Sequence, residues 1–422
     1  MKLVIIGAGS AYTPEIFSEI LLRPHLGIKE IALLDIKSGC ERTEINAGLG
    51  RRMFASKEAV DIKTYYDQRE ALVGADFVIS QIRVGGGQAR IADEHLCLSL
   101  GLLGQETTGV GGFFNAMRTI PVAIGIAMDM EAICPSAWLI NFTNPAGIVT
   151  EALLKHTSIK CIGLCNVPIN MQADAAKILG VRRDDVCCTT IGLNHLSVVT
   201  SVKTDGQERL PDVIASIKGN ETLMRNIPKV EGVYEFIKSI GVLPSPYLQY
   251  FYFGEVMAEK QKKEFESTGK TRGDVVQKID EDMFKMYADK NRNTPPKELS
   301  MRGGSLYSHA ALDIIEALLL DKPTEMTVNV QNKGSITDLK DDDVIEGNCL
   351  VSLHGIENIK LGALPKPVSG IIQAVKQYER QTVEAAVTRN RQAAYHALIN
   401  HPLVLGFEKA KQVVAAMEGF WG

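Results

Sequence analysis

Two residues of metal-ligating types occur where the sequence predicts strands. Cys165 closes the apolar run KCIGLC, and His195 interrupts the apolar strand pattern CCTTIGLNHLSVVTSVK. A thiol and an imidazole from separate elements can coordinate a soft or borderline divalent ion and leave positions open for a substrate. On these two residues alone, a small buried hydrophobe and a satisfied core histidine are the better explanation.

A glycine-rich turn follows the first predicted strand. In KLVIIGAGSAY, Gly7 permits a tight turn and Gly9 lets the backbone approach a pyrophosphate at a helix N-terminus. Asp35 ends the second predicted strand, IALLD, where its carboxylate can hold the ribose hydroxyls of NAD and would repel the 2′-phosphate of NADP. Strand, turn, helix and acidic residue together favour an NAD site over the alternative, a glycine turn followed by a helix-capping aspartate.

The helix after this turn is predicted from its first residues. Thr13 is expected to cap it, with Pro14 at its first position. Tyr12 stands where a dinucleotide-binding fingerprint usually has its third glycine, so we expect the helix to lie farther from the strand.

Composition excludes several classes of function. The chain has 422 residues, with 46 Lys and Arg against 50 Asp and Glu, a formal net charge of −4, and 45% hydrophobic residues. These values are typical of a soluble globular protein. Because a slightly acidic chain does not attract nucleic acid or anionic lipid, we expect neither nucleic acid nor a membrane as a partner.

The chain is also expected to be cytoplasmic. Its opening MKLVIIGAGS holds an apolar run shorter than a secretion signal or a membrane span requires. The eight cysteines have no framework spacing, and we expect reduced thiols.

Apolar runs alternate with helical patterns over residues 1–165. This alternation predicts an α/β fold, a Rossmann-like doubly wound sheet that forms an NAD-binding domain. The predicted strands cover residues 2–6, 31–35, 60–64, 75–82, 137–142 and 160–165, with helices at 115–133 and 146–156.

A different pattern begins after Cys165. Residues 166–422 are predicted to form an α+β domain for catalysis, substrate binding and oligomerisation, packed closely against the first domain. The predicted elements are a strand pair within 187–203 with a turn at Asp205 and Gly206, helices at 247–266, 274–290, 305–320 and 368–400, and strands at 326–332 and 346–353.

Eight motifs connect these elements: GAGSAYTPE, IRVGGGQAR, GQETTGVGG, NFTNPAG, CNVPIN, GLNH, SPYLQYFY and RGGSLYS. In this order and spacing the chain resembles, essentially from end to end, glycoside hydrolase family 4, the NAD- and metal-dependent glycosidases. CNVP and SPYLQYFY are similar to the 6-phospho-β-glucosidase branch.

The resemblance implies the hydrolysis of a phosphorylated disaccharide or β-glucoside, such as cellobiose 6-phosphate. NAD+ takes a hydride from C3 of the sugar, a base removes the proton on C2, and the aglycone leaves C1 by elimination. Water then adds at C1 and the hydride returns to C3. A divalent metal on the C2 and C3 oxygens, with Mn2+ first among the candidates, stabilises the enediolate.

The resemblance also assigns roles to residues. Cys165 and His195 would bind the metal. Tyr247 would be the C2 base, with Tyr250 and Tyr252 as alternatives, and Glu106 would raise its basicity. The cofactor-binding residues would be Gly7, Gly9, Ser10, Asp35 and Asn144, and the substrate-binding residues Arg90, Asn144, Asn166 and Arg272.

A 6-phosphate needs cationic donors. Arg90 and Arg272 match the arginines of the family, while Arg83, Lys270 and Arg302 could substitute. The α-acting branch often carries an acid immediately after the metal-binding cysteine, where this chain has Asn166. An amide cannot protonate the aglycone, so the proton donor stays unassigned.

Three alternatives remain at this point. Another glycosidase of the same family would act on an α-glycoside or a galacturonide. An NAD-dependent 2-hydroxy-acid dehydrogenase, which the stretch NFTNPAGIVTEAL also resembles, would release NADH stoichiometrically and need no metal. A nucleotide-sensing protein would bind NAD without turnover. For the enzyme we expect a homodimer or homotetramer.

Overall fold

One mixed sheet of thirteen strands runs through the part of the chain that the computed structural model describes, residues 1–55, 60–217, 230–301, 306–320, 322–404 and 406–421. The strands are β1 (Lys2–Ile6), β2 (Glu30–Leu34), β3 (Asp61–Tyr65), β4 (Phe77–Ser80), β5 (Trp138–Asn141), β6 (Lys160–Gly163), β7 (Val186–Leu193), β8 (Leu196–Thr204), β9 (Gln207–Glu208), β10 (Leu243–Pro244), β11 (Thr324–Gln331), β12 (Val344–Ser352) and β13 (Gly355–Asn358).

Helices cover both faces of this sheet. They are α1 (Thr13–Leu21), α2 (Cys40–Phe54), α3 (Gln68–Leu72), α4 (Gly86–Ser99), α5 (Gly109–Ile133), α6 (Ala146–His156), α7 (Val167–Leu179), α8 (Leu210–Ser216), α9 (Val233–Ile240), α10 (Leu248–Tyr252), α11 (Gly254–Thr268), α12 (Arg272–Tyr287), α13 (Tyr307–Leu319), α14 (Lys366–Thr388), α15 (Arg391–Asn400), α16 (Phe407–Ala415) and α17 (Glu418–Trp421). Four short 3-10 turns lie at Pro24–Leu26, Lys37–Gly39, Arg183–Asp185 and Lys297–Met301.

The N-terminal half of the sheet is parallel, in the order β3-β2-β1-β4-β5-β6. This is the strand order of dinucleotide-binding folds, and it confirms the predicted Rossmann-like α/β architecture. Each predicted strand of this half overlaps the observed one, because strands buried on both faces are continuous apolar runs. The carboxyl ends of these strands share one edge, where such folds bind ligands.

The sheet continues without a break into the C-terminal half. Gly163 on β6 pairs antiparallel with Asn329 on β11, and the order continues as β12-β7-β8-β10. A Cβ at Gly163 would lie 2.3 Å from the Thr150 hydroxyl oxygen and 2.8 Å from the Asn329 Cβ, so only glycine permits this approach. The elements predicted as two domains therefore share one sheet.

Three local predictions are wrong. Tyr12 is the N-cap residue of α1 and Thr13 is the first helical residue, because the Thr13 hydroxyl donates to the Ala8 carbonyl (2.9 Å) instead of capping the helix. The helix predicted at 247–266 is two helices that meet at Phe253, and that predicted at 368–400 breaks after Thr388, where Arg389 is left-handed with a φ of 53°. The turn at Asp205 and Gly206 is confirmed, between β8 and β9.

The most apolar helix is part of the core. Among the described residues, α5 alone is long and apolar enough to cross a membrane, and 72% of its most apolar window is buried inside the fold. This burial is typical of a core helix in a globular protein.

Candidate active site

The turn between β1 and α1 closes tightly against Asp35. Gly7 has a φ of +81°, and its N–H donates to the Leu34 carbonyl (2.9 Å). The Gly9 N–H donates to Asp35 Oδ2 (2.6 Å), and a Cβ at Gly9 would lie 2.9 Å from that same oxygen. The structure thus brings the predicted glycines and carboxylate together, and it leaves room at Gly9 for backbone only.

Ser10 and Asn144 lie at the same edge of the sheet. The Ser10 N–H donates to the Gly7 carbonyl (3.0 Å), and its hydroxyl accepts from the Tyr12 N–H (3.2 Å). Asn144 follows β5, and its side-chain Oδ1 is buried without a hydrogen-bond partner among the described atoms. Because a buried acceptor is normally satisfied, this oxygen fits a donor from a bound ligand, such as a carboxamide or a sugar hydroxyl.

Cys165 is buried just beyond the carboxyl end of β6. Its sulfur accepts the Val167 N–H at the start of α7 (3.4 Å), and the Tyr307 hydroxyl lies 4.0 Å from it. Burial raises the pKa of the Cys165 thiol to about 12. Asn166 is the buried N-cap residue of α7.

His195 lies in the two-residue turn between β7 and β8, with a φ of 61°. The predicted interruption of an apolar strand is therefore a hairpin turn. The imidazole is 5% exposed, and burial lowers its pKa to about 4, so the ring is neutral, the form that binds a metal ion.

Tyr247 lies against His195 and near Cys165. Its ring stacks on the His195 ring, with 3.9 Å between centroids and 3° between planes. It is buried at the start of α10, and burial raises its pKa well above the usual value, as do the neighbouring Tyr250, the Cys165 sulfur and the Glu106 carboxylate, while Arg90 lowers it.

Two arginines hold Glu106 beside this tyrosine. Arg83 and Arg90 both pair with the Glu106 carboxylate, Arg90 through Nη1 at 2.7 Å. Arg90 also donates from Nε to Glu94 Oε1 (2.8 Å). The Glu106 and Arg90 side chains are only 13% and 12% exposed, so these charges lie in a weakly screened environment.

Arg272 begins α12, next to the same cluster. A capping box between Thr271 and Asp274 fixes the start of this helix. The Gly273 N–H donates to Glu94 Oε2 (2.7 Å), so one buried carboxylate ties Arg90 to the turn that carries Arg272.

The remaining candidates are less central. Tyr252 is 38% exposed and its hydroxyl donates to the Pro367 carbonyl (3.2 Å), which is the contact of a surface residue and not of a buried base. Tyr250 is buried beside Tyr247, with ring centroids 5.8 Å apart. Lys270 is exposed, and Arg302 lies outside the described residues.

Comparison with known proteins identifies the family. Residues 2–181 match the model of family 4 glycosyl hydrolases, and residues 190–404 match that of the family 4 C-terminal domain. The chain belongs to glycosyl hydrolase family 4. This confirms the resemblance inferred from the motifs.

Relatives and solved structures agree with this assignment. The chain is 41% identical to a probable 6-phospho-β-glucosidase of Bacillus subtilis, over 99% of this chain and 95% of that protein. It is 38% identical to the 6-phospho-β-glucosidase of Escherichia coli, over 96% and 91% of the two chains. A structure of the 6-phospho-β-glucosidase from Thermotoga maritima with manganese, NAD+ and glucose-6-phosphate is 34% identical, with a TM-score of 0.90, and the match covers 100% of this chain and 98% of that one.

Within the described residues, Cys165 and His195 belong to no larger cluster of metal-ligating side chains: no group of three or more His, Cys, Asp or Glu is arranged to hold a metal ion. A metal held by these two residues would take most of its ligands from substrate oxygens and water, the oxygen donors that Mn2+ prefers.

Sequence reasoning missed three residues of this site. Tyr307 contacts the Cys165 sulfur, Glu94 accepts from Arg90 and from the Gly273 N–H, and Glu346 lies buried near Asn194. Tyr307 belongs to the RGGSLYS motif, which gives no sign of its contact with Cys165, and Glu94 looks like an ordinary helix residue in the sequence. Glu346 did leave a signal, because a carboxylate inside the apolar strand run EGNCLVSL is rarely buried without a purpose.

Proposed function

We propose that this chain hydrolyses 6-phospho-β-glucosides, such as cellobiose 6-phosphate, with NAD+ and a divalent metal as cofactors. The observation that carries the proposal is the stacking of Tyr247 on His195, at the edge of the sheet that also carries the Gly7–Gly9 turn and Cys165. The relatives named above support the β-phosphoglucoside branch.

Cys165 and His195 would hold the metal, and the Gly9 turn, Ser10, Asp35 and Asn144 would hold NAD+. When bound, NAD+ supplies a reversible hydride acceptor and the metal supplies Lewis acidity. The orphaned Asn144 oxygen and the close approach of the backbone at Gly9, which admits no side chain, are the features of this chain that fit the dinucleotide.

We assign Tyr247 as the base that removes the proton from C2 of the sugar. Burial raises the pKa of Tyr247 well above its usual value, and the Glu106 carboxylate adds to this rise while Arg90 opposes it. The phenolate would therefore be a strong base, and its formation would need the positive charge of the bound metal. Asn166, an amide, would hydrogen-bond the substrate and would not serve as an acid.

The 6-phosphate would bind between α4 and α12. Arg90 lies on α4 and Arg272 is the first residue of α12. Glu94, also on α4, accepts hydrogen bonds from Arg90 and from the Gly273 N–H of α12, and so joins the two helices. Guanidinium groups bind phosphate oxygens with paired N–H donors, which suits a phosphorylated sugar.

The test is the hydrolysis of nitrophenyl 6-phospho-β-glucoside with and without NAD+, Mn2+ and a thiol reductant. We expect no turnover without NAD+ or after exhaustive chelation, and full recovery when Mn2+ is added back. Full activity after chelation would contradict the proposal. Stoichiometric NADH release from a 2-hydroxy acid would instead identify a dehydrogenase, and preference for an α-glycoside or galacturonide would identify another activity of the family.

We also propose that the enzyme is cytoplasmic. The eight cysteines are free thiols, which supports a reducing compartment.

We further propose that the boundary between the NAD-binding domain and the catalytic domain lies between residues 165 and 166, and that the enzyme forms a homodimer or homotetramer. Light scattering on the purified protein would give the oligomeric state.

A further inference from the structure

The turn that carries His195 also carries Asn194. Leu193 pairs with Leu196 across the β7–β8 hairpin, so Asn194 and His195 alone form its turn. Because the turn is this short, the position of the Asn194 side chain and that of the imidazole depend on each other.

Every polar group of the Asn194 side chain is engaged. Its Nδ2 donates to Glu346 Oε1 (3.0 Å). Its Oδ1 accepts the Gly147 N–H (3.4 Å). The side chain that shares the turn with His195 is thus held at both ends, by β12 on one side and by the start of α6 on the other.

Glu346 determines how that amide is oriented. It is fully buried on β12, and it also accepts from Ser197 Oγ (2.7 Å) and Asn329 Nδ2 (3.4 Å). Since both of its oxygens act as acceptors, the amide nitrogen of Asn194, and not its oxygen, must lie on this side. A flipped amide would place two acceptors against each other at Glu346 and two donors against each other at the Gly147 N–H.

We propose that Asn194 and Glu346 are positioning residues for the metal pair. Glu346 fixes the Asn194 amide and, because Asn194 and His195 share a two-residue turn, it thereby fixes the orientation in which the imidazole binds a divalent cation. The inference rests on the proposed function, in which Cys165 and His195 are the ligands. Partners of this kind, which hold a ligand and not the metal, typically change metal affinity by about 10–100-fold when removed.

The test uses Co2+ as the probe, because a cobalt–thiolate bond gives a charge-transfer absorption that does not depend on turnover. The full-length protein is freed of metal with a chelator and titrated with CoCl2, which yields both a Kd and a band position. For Asn194→Ala we expect a Kd raised about 10–100-fold and a shifted band. If the Kd and band are those of the parent protein, the inference fails.

A matched control exists on the same strand as Glu346. Asn348 is also a buried asparagine with all of its groups engaged: it donates to the Cys188 carbonyl (2.8 Å) and to Glu325 (2.7 Å), and it accepts from the Thr190 N–H (2.7 Å). Asn348→Ala removes at least as many hydrogen bonds, but none of them at the turn that carries His195. We expect its Kd to stay within about twofold of the parent value, whereas a loss equal to that of Asn194→Ala would contradict a specific role.

Glu346 gives a second, independent arm. Glu346→Met keeps the length of the side chain but removes the acceptor, and we expect a Kd raised about tenfold. Glu346→Gln keeps one acceptor and should restore most of the affinity. The inference fails if Glu346→Met binds Co2+ as tightly as the parent protein, or if Glu346→Gln binds it as weakly as Glu346→Met. Both outcomes are decisive even if Asn194→Ala does not fold.

Failure of the proposed function looks different in the same experiment. If the parent protein shows no thiolate band, or if Cys165→Ser retains one, the metal assignment is wrong before Asn194 is considered. If the band is present in the parent, absent in Cys165→Ser and unchanged in Asn194→Ala, the assignment stands and only the inference fails.

Discussion

Tyr247 and His195 form a stacked pair in the candidate site. Their rings lie 3.9 Å apart and parallel, so the proposed base and the proposed metal ligand support each other by packing. The imidazole comes from a hairpin turn and the phenol from the start of a short helix. If both roles hold, this packing keeps the proton acceptor at a fixed place relative to the metal.

Tyr247→Phe should therefore separate packing from chemistry. The phenyl ring keeps the stack, so we expect unchanged NAD+ and metal binding and a near-parent melting temperature. Turnover should fall by at least ~100-fold, the lower range for a positioned base. Tyr252→Phe, from the same tyrosine cluster but with a surface contact, is the matched control and should retain activity. Near-parent turnover in Tyr247→Phe would exclude this tyrosine and leave Tyr250 as the next candidate.

Arg90 tests the phosphate site at the same scale. Its guanidinium is held by Glu94 and Glu106, with Nε–Oε1 and Nη1–Oε2 distances of 2.8 and 2.7 Å. For Arg90→Ala we expect KM to rise at least ~10-fold for nitrophenyl 6-phospho-β-glucoside, since charged hydrogen bonds of this kind are worth about 1.5–3 kcal/mol. The unphosphorylated glucoside, tested on the same variant, should lose much less. Equal losses for both substrates would exclude Arg90 as a phosphate contact.

Among the elements, the turn after β1 restricts the residue type at position 9. A Cβ at Gly9 would approach Asp35 Oδ2 to 2.9 Å, on the surface that we propose lies against the dinucleotide. We expect Gly9→Ala to raise the Kd for NAD+ at least ~10-fold in a fluorescence titration, with little change in Co2+ affinity. Gly125→Ala, where a Cβ meets nothing within 4 Å, is the control and should bind NAD+ normally. Parent-like binding by Gly9→Ala would contradict this site.

The sequence predicted those elements whose signal is local. The six parallel strands are buried apolar runs, and the glycine turn and Asp35 follow their strands directly, so this half was predictable. The helix breaks were missed. Phe253 and Arg389 carry no breaker chemistry, but Asn390 is a local signal, because its side chain caps the start of α15. Cys165 and His195 were found by type and resemblance, but the role of Glu346 depends on β7–β12 pairing between residues more than 150 positions apart, which no local pattern specifies.

At the scale of the whole molecule, the two halves are joined behind the site as well as through the sheet. Lys376 on α14 is fully buried and donates to Glu151 Oε2 on α6 (2.7 Å) and to the Val344 carbonyl on β12 (2.7 Å), and it also pairs with Glu379. Removing one partner of such a cluster leaves a buried charge uncompensated, which typically costs about 3–5 kcal/mol. The site thus lies against a scaffold that both halves build.

His401 makes that scaffold sensitive to acid. It follows α15, lies against the Tyr378 ring (centroids 4.4 Å apart), and lines a small pocket together with Glu379 and Asn194. Its Nδ1 accepts the Leu403 N–H (3.0 Å), while its Nε2 has no partner among the described atoms. Burial lowers its pKa from 6.5 to about 3, so the folded protein holds this ring neutral.

The sign of the pH dependence follows. Below pH 6.5 the unfolded chain binds a proton at His401 that the folded chain does not, so the free energy of unfolding falls as the pH drops from 6.5 towards 3. At pH 5 this residue should cost on the order of 2 kcal/mol relative to pH 7.5. His401→Asn keeps an acceptor for the Leu403 N–H but has no titrating ring. Between pH 7.5 and 5, its free energy of unfolding in urea should therefore fall by about 2 kcal/mol less than that of the parent protein. His354→Asn, which removes an exposed histidine, should fall as steeply as the parent. If the His401→Asn and parent curves remain parallel from pH 7.5 to 5, His401 is not the group through which acid destabilises the fold.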